Sequence, residues 1–474
     1  MSLQDPEAPT RPEAPPSPPQ PPFGRPTLIV VLAVALIASL VADVGLALRV
    51  RNERTKTSTL EQQIQDLNSQ LDTLRARISG SGSSDPLGRI AAATAQLRGL
   101  NFKTTVKPEL LSPAELAARV EGMFAHDNSP TTLDGTAAVL ATYGLLPENY
   151  DLYGELKKLQ GEQVEGFYDS KTKRLVVGAS SARDPSPFDQ VVLSHEYTHA
   201  LVDQHFGLGV LDKLQQQHAD DAAAAFLALA EGDATFTMRL YQTEVLTAAQ
   251  QQQFIQEASN LPLTTFEAAP QYLQDVLQFP YVQGLAFVTV LHDRGGFDLV
   301  DQAYRDPPVS TEQIMHPSRY LDTRDNPTAV HLPNVRRALG TGWTSIETGG
   351  VGEYDVLEIL EHGGGIGLPL SDARTAAAGW DGGMYGGYRS SDGVLVATLT
   401  AWDSESQARE AAEAFARWLP VRYTGGSAFD AGRGQGWQST AGAGEVVQDG
   451  TQVLLLLGPS SKDLTRARAA FTGF

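Results

Sequence analysis

The sequence predicts an α+β fold in which a mostly helical domain with a small β-sheet precedes a smaller α+β domain. Apolar residues recur at helical spacing through much of residues 88–345, and two β-rich runs within that region flank a polar turn. Residues 350–474 mix short strand-like runs with helical ones. The length of 474 residues suits roughly two to three domains.

Composition excludes some classes of function. The net charge of -20 argues against a nucleic-acid partner, because no excess basic surface is present to neutralise phosphates. The chain has no cysteine, which rules out disulfides, a thiol nucleophile and cysteine-ligated zinc.

The N-terminal region predicts a membrane anchor. Residues 1–26 are crowded with proline and are expected to be a disordered, partly polyproline tail. Residues 27–48 are almost continuously apolar, broken only by Asp43, and have the length of a single transmembrane helix. The segment lies too far from the start, and is too long, for an ordinary cleaved signal peptide. The alternative is a buried core helix, but such helices rarely run this long without polar residues.

A coiled-coil stalk is predicted at residues 55–79, followed by a flexible Gly/Ser linker at 80–87. A parallel coiled coil would make the protein a homodimer, whereas the alternative is a lone amphipathic stalk packed on the next domain. The apolar positions alternate in steps of four and three: Leu60, Ile64, Leu67, Leu71, Leu74 and Ile78.

Residues 88–345 carry local signals for helices and a hairpin. Ser112 is a helix N-cap, followed by a proline and an acid in the first turn. Residues 164–168 and 174–177 read as two strands around a polar turn. A helix is expected over roughly Asp220–Tyr241.

Gly349-Gly350 marks the predicted start of the accessory domain. There, residues 393–399 read as a strand, and Ser404 with Gln407 forms a capping-box pattern at the start of a helix ending near Leu419. Residues 445–447 and 452–456 predict a hairpin around Asp449-Gly450, and a last helix is expected over 461–471. No catalytic constellation is visible in this domain.

The pattern that carries chemistry is His195-Glu196-Tyr197-Thr198-His199, an H-E-x-x-H motif within an apolar run. On a helix, positions four apart share a face, so the two imidazoles can bind one metal ion. Glu196 lies one step around the helix, where it can act on a water molecule at the metal. The spacing is typical of zinc hydrolases. The alternative is an exposed helix with two solvated histidines, which the apolar flanks disfavour.

A catalytic zinc needs a third protein ligand, for which Glu231 is the best candidate. It lies in Leu229-Ala230-Glu231-Gly232-Asp233-Ala234, and its apolar, small neighbours predict burial. A buried carboxylate is costly without a partner, and a metal ion would satisfy it. Gly232 and Ala234 are small enough to let two helices approach closely. The alternative is a salt-bridged structural glutamate.

The chain resembles the gluzincin metallopeptidases, and more closely a bacterial family of uncharacterised metallopeptidases that are membrane-anchored or exported. The resemblance implies a zincin-like catalytic domain that binds Zn²⁺ through His195, His199 and Glu231. It covers roughly residues 90–420 and runs through the segments 165–169, 194–201, 203–206, 231–234, 279–281 and 310–317.

The sequence departs from the best-known gluzincins at one position. There, an acid four residues after the glutamate ligand orients a ligand histidine, but Thr235 stands at that position here. Asp203 or Asp233 could orient a ligand histidine in its place.

These residues predict peptide hydrolysis. Glu196 would be the general base, and His316 and Tyr281 are candidates to stabilise the oxyanion. The alternatives for the last two are a capping histidine and a packed tyrosine. The outer strand of the hairpin, around Leu175–Val177, is expected to pair with an extended substrate.

The predicted function is therefore a membrane-anchored zinc endopeptidase acting on a peptide or protein. The alternatives are a catalytically inactive zinc-binding scaffold and a zinc amidase acting on cell-wall material.

The predicted location is the cell membrane, with one span through the bilayer and the catalytic domain on the extracytoplasmic side. Resemblance to exported family members and the lack of cysteine favour that side. The flanking charges favour the opposite one, because Arg49, Arg51, Arg54 and Lys56 follow the apolar segment and only Arg11 and Arg25 precede it.

Overall fold

The computed structural model describes residues 85–161, 166–261 and 263–474. The predicted tail, transmembrane segment and coiled coil, and the linker up to residue 84, lie outside these residues. Within the described ranges, no helix is long and apolar enough to span a membrane. The architecture is mixed, with a largely helical part followed by a region built on a large antiparallel sheet.

The first part contains fourteen helices among the described residues. In chain order they are α1 (Pro86–Arg98), α2 (Pro113–Asp127), α3 (Pro130–Tyr143), α4 (Leu152–Gly161), α5 (Ala179–Arg183), α6 (Pro187–His205), α7 (Val210–Gln216), α8 (Asp220–Leu240), α9 (Ala248–Ser259), α10 (Thr264–Ala268), α11 (Gln271–Arg305), α12 (Thr311–Met315), α13 (Pro317–Leu321) and α14 (Val335–Leu339).

Sequence signals set several of these boundaries. The Ser112 side chain accepts from the backbone N–H of Glu115, which confirms the predicted N-cap of α2. The Glu115 carboxylate accepts in return from the N–H of Ser112, which completes a capping box that was not predicted. At Ser404 the side chain accepts from the N–H of Gln407, which is one half of the predicted box. Helix α8 ends one residue before the predicted Tyr241 and continues as a π-helical turn over Tyr241–Val245. Helix α11 is kinked at Gly295 and Gly296, whose backbone angles are not helical.

A three-stranded sheet precedes the H-E-x-x-H helix. Strands β2 (Gly166–Asp169) and β3 (Arg174–Gly178) form the predicted antiparallel hairpin, and β1 (Glu109–Leu111) adds parallel to β3. The order β1-β3-β2 makes β3 the central strand. The expectation that Leu175–Val177 is an outer strand is therefore wrong, because β1 arrives from earlier in the chain and occupies that edge. Among the described residues, strand β2 pairs with β3 alone.

Helices α8 and α11 approach so closely that their backbones touch. A Cβ atom on Gly232 would lie 2.2 Å from the carbonyl oxygen of Gly284, and one on Gly284 would lie 2.1 Å from that of Ala228. The prediction that Gly232 permits a close approach of two helices is thus confirmed, with α11 as the second helix. This contact holds Tyr281, one turn before Gly284, beside the Glu231 region.

The second part is a seven-stranded antiparallel sheet with four helices. The strands are β4 (Thr344–Gly350), β5 (Trp380–Ser390), β6 (Gly393–Trp402), β7 (Ser427–Phe429), β8 (Gln435–Ser439), β9 (Gly442–Asp449) and β10 (Gln452–Gly458), in the order β4-β5-β6-β10-β9-β8-β7. The helices are α15 (Glu353–His362), α16 (Leu370–Ala377), α17 (Glu405–Arg422) and α18 (Ser461–Arg468). Strand β4 begins before the predicted domain start at residue 350.

Both faces of this sheet are buried. Leu455 and Leu457 of β10 belong to the core cluster that contains α17, whereas Leu454 and Leu456 belong to the cluster that contains α18. A strand buried on both faces reads as a continuous apolar run, as residues 453–457 do.

The two parts share a core. Helix α3 packs on β4 and β6, where the Tyr143 hydroxyl lies 2.6 Å from that of Thr398. Thr136 of the same helix donates to the buried carboxylate of Glu347 at 3.0 Å. The sheet region therefore lies directly against the helical part.

Candidate functional site

The structure brings His195, His199 and Glu231 together. The histidines lie on α6 and the glutamate on α8, and all three are buried. His195 Nε2 lies 3.1 Å from Glu231 Oε2, and His199 Nε2 lies 3.3 Å from the same oxygen. The two imidazole Nε2 atoms are 3.0 Å apart. Three potential ligand atoms thus converge from two helices.

The charges of these groups depend on one another. Burial lowers the pKa of His199, but the Glu231 carboxylate outweighs this effect and raises the pKa to about 9. Burial raises the pKa of Glu231, yet His199 and His195 bring it well below its usual range. The carboxylate is therefore ionised, and a bound metal ion would take the place of the proton that Glu231 favours on His199.

The donor set fits a divalent metal ion. One nitrogen from each histidine and one carboxylate oxygen lie within 4.8 Å of one another. Among the described residues, the ion pairs of Glu231 are with the two histidines, and no lysine or arginine neutralises it. Two imidazoles and one carboxylate match the three-ligand set of catalytic zinc sites. His195 Nδ1 is buried and has no hydrogen-bond partner among the described residues.

Glu196 lines the cavity next to the three converging groups. Its Oε2 atom accepts a hydrogen bond of 2.7 Å from the backbone N–H of Tyr168 on β2. Burial raises the pKa of Glu196, while His195 and His199 oppose that shift. The hairpin strand thus fixes the carboxylate that was predicted to be the base.

Tyr281 of α11 lies in the same cavity. Its ring is 6.2 Å from that of His195, nearly parallel to it, and its hydroxyl is hydrogen-bonded to the Glu231 side chain. Burial, together with the charges of Glu231 and Glu196, raises the pKa of Tyr281 well above its ordinary value. The hydroxyl therefore stays protonated and can donate a hydrogen bond.

His316 lies elsewhere. It follows α12, is 44% exposed, and its Nε2 atom is 2.9 Å from the Glu353 carboxylate of α15. It is not among the residues that line the His195–Glu231 cavity. His316 stands at the junction of α12 and α13, but its side chain makes no capping hydrogen bond and pairs with Glu353 instead.

Asp203 contacts the hairpin. Its carboxylate accepts from the Tyr168 hydroxyl at 2.7 Å, from Lys173 Nζ at 2.7 Å and from the backbone N–H of Leu208 at 2.8 Å. No hydrogen bond joins it to His195 or His199 among the described residues. Its effect on the site is indirect, since it holds the strand that binds Glu196.

Asp233 anchors a buried ionic cluster. Arg98 of α1 is fully buried and lies 2.8 Å from Asp233 and 2.6 Å from Asp301. Burial raises the pKa of Asp233, and Arg98 opposes that shift. Asp233 therefore ties α1 and the end of α11 to the ligand helix, instead of orienting a ligand imidazole.

The site opens into a cavity with a volume of about 100 Å³. Its walls come from α2, the β2–β3 hairpin, α6, the segment around α7, α8 and α11. The lining combines the converging polar groups with apolar side chains, among them Met123, Phe124, Phe167, Val192, Leu211 and Leu227. Such a lining is typical of a binding site.

The role of Tyr168 was not predicted. The residue lies in a segment of the family resemblance, but nothing in the local sequence shows that its N–H reaches Glu196. Alternation along the strand could have suggested that one backbone edge of β2 faces the following helix. The pairing itself depends on how α6 docks against the hairpin.

Comparison with known proteins covers only the sheet region. Residues 341–468 match the model of a family described as a domain of unknown function (DUF8575). No curated protein and no solved structure matches the chain. The match spans β4 to α18 and leaves out all the residues of the cavity.

Proposed function

We propose that the protein is a zinc-dependent endopeptidase. The observation that carries the proposal is the convergence of His195, His199 and Glu231 beside Glu196. These groups lie in a cavity that strand β2 also lines. A purely structural metal site needs ligands only. The placement of Glu196 on the cavity wall, held by Tyr168, supports catalysis.

His195 Nε2, His199 Nε2 and a Glu231 carboxylate oxygen would hold the metal. When bound, zinc supplies Lewis acidity, which lowers the pKa of water and polarises a carbonyl group. The chain supplies the remaining functions through Glu196, Tyr281 and β2.

Glu196 moves the proton. The Tyr168 N–H occupies Oε2, which restricts rotation of the carboxylate and leaves Oε1 to take a proton from water. The same oxygen then delivers the proton to the departing amine. Burial raises the pKa of Glu196 and so makes it a stronger base than an exposed glutamate.

Tyr281 is the better of the two candidates to stabilise the oxyanion. It is protonated and lies on the cavity wall with Glu196 and Glu231. Its single hydroxyl proton faces Glu231 in this structure and would turn to the oxyanion in the reaction. A donor aimed at developing negative charge contributes most where water is excluded. His316, which pairs with Glu353, is not needed for this step.

Strand β2 is the proposed site of substrate binding. Within the described part of the chain it pairs with β3 alone, and Gly166, Phe167, Tyr168 and Asp169 all line the cavity. The Tyr168 N–H is bound to Glu196, so a substrate would use the other backbone groups of this edge. An extended peptide can add to such an edge through backbone hydrogen bonds. This favours unfolded segments as substrates, because a helix has no free backbone groups to offer.

The test combines metal content with peptidase activity in the full chain. Unfolded casein serves as the probe for proteolysis. We expect about one zinc at this site, lost in His195→Ala and Glu231→Ala. Glu196→Gln should keep the metal and lose about 10²–10⁴-fold in rate.

The matched control is His205→Ala. His205 lies on the same helix but does not line the cavity, and its ring is hydrogen-bonded to the Asn101 carbonyl. This variant should leave the zinc content and the rate of proteolysis unchanged. A folded chain without zinc at this site would contradict the proposal. Zinc without cleavage of casein or of unfolded peptide libraries would support a scaffold, and release of peptides from cell-wall fragments alone would support an amidase.

The anchor at residues 27–48 and the homodimer through residues 55–79 complete the proposal. Protease protection in intact cells would determine the side of the membrane, for which the predicted side is the extracytoplasmic one.

A further inference from the structure

A second group of potential metal ligands joins α11 to α15. His362 Nε2 lies 3.0 Å from Asp275 Oδ2 and 3.8 Å from Glu358 Oε2. The three ligand atoms of Asp275, Glu358 and His362 lie within 4.8 Å of one another. None of these residues lines the His195–Glu231 cavity.

Glu358 provides an independent sign of a ligand. The residue is 3% exposed, and its Oε2 atom has no hydrogen-bond partner among the described residues. Glu358 Oε2 lies 3.8 Å from the His362 ring nitrogen. The Tyr354 side chain is hydrogen-bonded to the same carboxylate group. Leaving a buried carboxylate oxygen unpaired is costly, and a bound cation would remove that cost.

The charge balance around Glu358 also favours a cation. The carboxylates of Asp275, Glu358 and Glu361 all lie within 4 Å of the His362 ring nitrogen, at 3.0, 3.8 and 3.9 Å. Within the described ranges, no lysine or arginine pairs with any of the three. Glu361 also lies in the last turn of α15, where the helix dipole repels negative charge.

A third acidic cluster provides a contrast. Glu312, Asp325 and Asp403 also have converging oxygens, but the Arg319 guanidinium lies among them and pairs with all three. A guanidinium stays protonated in proteins, so Arg319 keeps its place among those oxygens and would compete with a metal ion. The basic group between Asp275 and Glu358 is the His362 imidazole, which, unlike a guanidinium, can be neutral and bind a metal ion.

We propose that Asp275, Glu358 and His362 bind a divalent transition-metal ion. An imidazole nitrogen combined with carboxylates suits Zn²⁺ or Mn²⁺, whereas Ca²⁺ and Mg²⁺ prefer oxygen ligands throughout. The site is structural, because it lies apart from the cavity and no candidate base accompanies it.

The bound ion would cross-link two regions of the fold. Asp275 lies on α11, the helix that also carries Tyr281, and the other ligands lie on α15 within the residues that match DUF8575. Metal binding would therefore stabilise the packing of the sheet region against the helix that forms one wall of the proposed active site. The second site is independent of whether the first site is catalytic.

The experiment measures Zn²⁺ and Mn²⁺ binding to the full chain in a His195→Ala background, which removes the first site from the count. We expect one remaining equivalent of metal. Glu358→Gln or His362→Gln should weaken binding by more than the ~10–100-fold cost of losing a second-shell partner. Added metal should raise the midpoint of thermal unfolding in the background protein, and this rise should disappear in both double variants.

Glu312→Gln is the matched control, because it changes a buried glutamate of the arginine-neutralised cluster. It should leave metal stoichiometry and the metal-induced thermal shift as in the background protein. His362→Gln alters a partly exposed residue and so keeps the test independent of folding defects. Absence of a second equivalent, or an equivalent that persists with unchanged affinity in both double variants, would overturn the proposal.

Discussion

The backbones of Gly232 and Gly284 are in contact where α8 crosses α11. A Cβ on Gly232 would lie 2.2 Å from the Gly284 oxygen, and a Cβ on Gly284 would lie 3.1 Å from the Gly232 nitrogen. The contact joins the helix of Glu231 to the helix of Tyr281. Its geometry therefore sets the distance between the proposed third ligand and the proposed oxyanion donor.

Gly284→Ala should destabilise the protein and move Tyr281. The added methyl group would lie 2.1 Å from the Ala228 carbonyl oxygen, so the helices must separate. Overpacking of this kind costs about 1–3 kcal/mol or more. Chemical denaturation would measure the loss. Gly122→Ala is the control. Gly122 is exposed in α2, and a Cβ built there would meet no neighbouring atom from elsewhere in the fold within 4 Å. Alanine at this position should stabilise the helix by about 0.5–1 kcal/mol. Equal effects at the two positions would contradict the close contact.

Arg98→Met should lower the free energy of unfolding by about 3–5 kcal/mol. Removing the guanidinium leaves Asp233 buried without its cation, and a buried unpaired charge is strongly destabilising. The control is Arg294→Met, which breaks a pair with Asp322 whose side chains are about half exposed and should cost less than about 1 kcal/mol. Urea denaturation of both variants checks the difference. A small effect at Arg98 would show that the cluster tolerates rearrangement.

Tyr168→Phe should weaken catalysis through the hairpin. The variant keeps the backbone N–H that binds Glu196 but loses the hydroxyl bond to Asp203, which contributes about 1.5–3 kcal/mol as a bond to a charged group. We expect lower peptidase activity with unchanged zinc content, because the metal ligands lie on other elements. Thr172→Val is the control, since its hydroxyl binds Asp169 in the same turn without contacting Asp203. Loss of zinc in Tyr168→Phe would contradict this separation of roles.

Glu445 should make stability fall as pH rises. Burial raises its pKa from 4.5 to about 7, with Arg468 opposing, so the folded protein holds a proton that the unfolded chain releases. The free energy of unfolding should decrease between about pH 4.5 and pH 7 and stay level above, by up to ~3 kcal/mol from this group. Glu445→Gln should remove that part of the decline. Denaturation at several pH values would test it, and parallel pH profiles for the two proteins would refute it.

Local sequence patterns predicted many of the elements. The N-cap Ser112 with the proline after it marked the start of α2, the turn at Asp449-Gly450 joined β9 to β10, and apolar spacing placed both ligand helices. These features depend on neighbours a few residues apart, so the chain reveals them without its fold. The same is true of the spacing of His195 and His199, because one helical turn fixes it.

Long-range pairings were decided by tertiary structure. Asp203 and Asp233 both lie near the motif in sequence, yet one contacts the hairpin and the other binds Arg98. His316 pairs with Glu353 of α15, away from the cavity. A carboxylate can form hydrogen bonds or ion pairs of similar strength with several different partners. The packing of the helices determines which of those partners lies within reach.

The sequence by itself determined which groups carry the chemistry, because the spacing of His195, Glu196 and His199 along one helix follows from helical geometry alone. The tertiary structure decided what surrounds them. Glu231 lies beside both histidines, and the Tyr168 N–H donates to Glu196. Strand β3 pairs with β1 as well as with β2, so β2 lies at an edge of the described sheet. Those outcomes depend on contacts between residues far apart in the chain, and local propensity does not encode them.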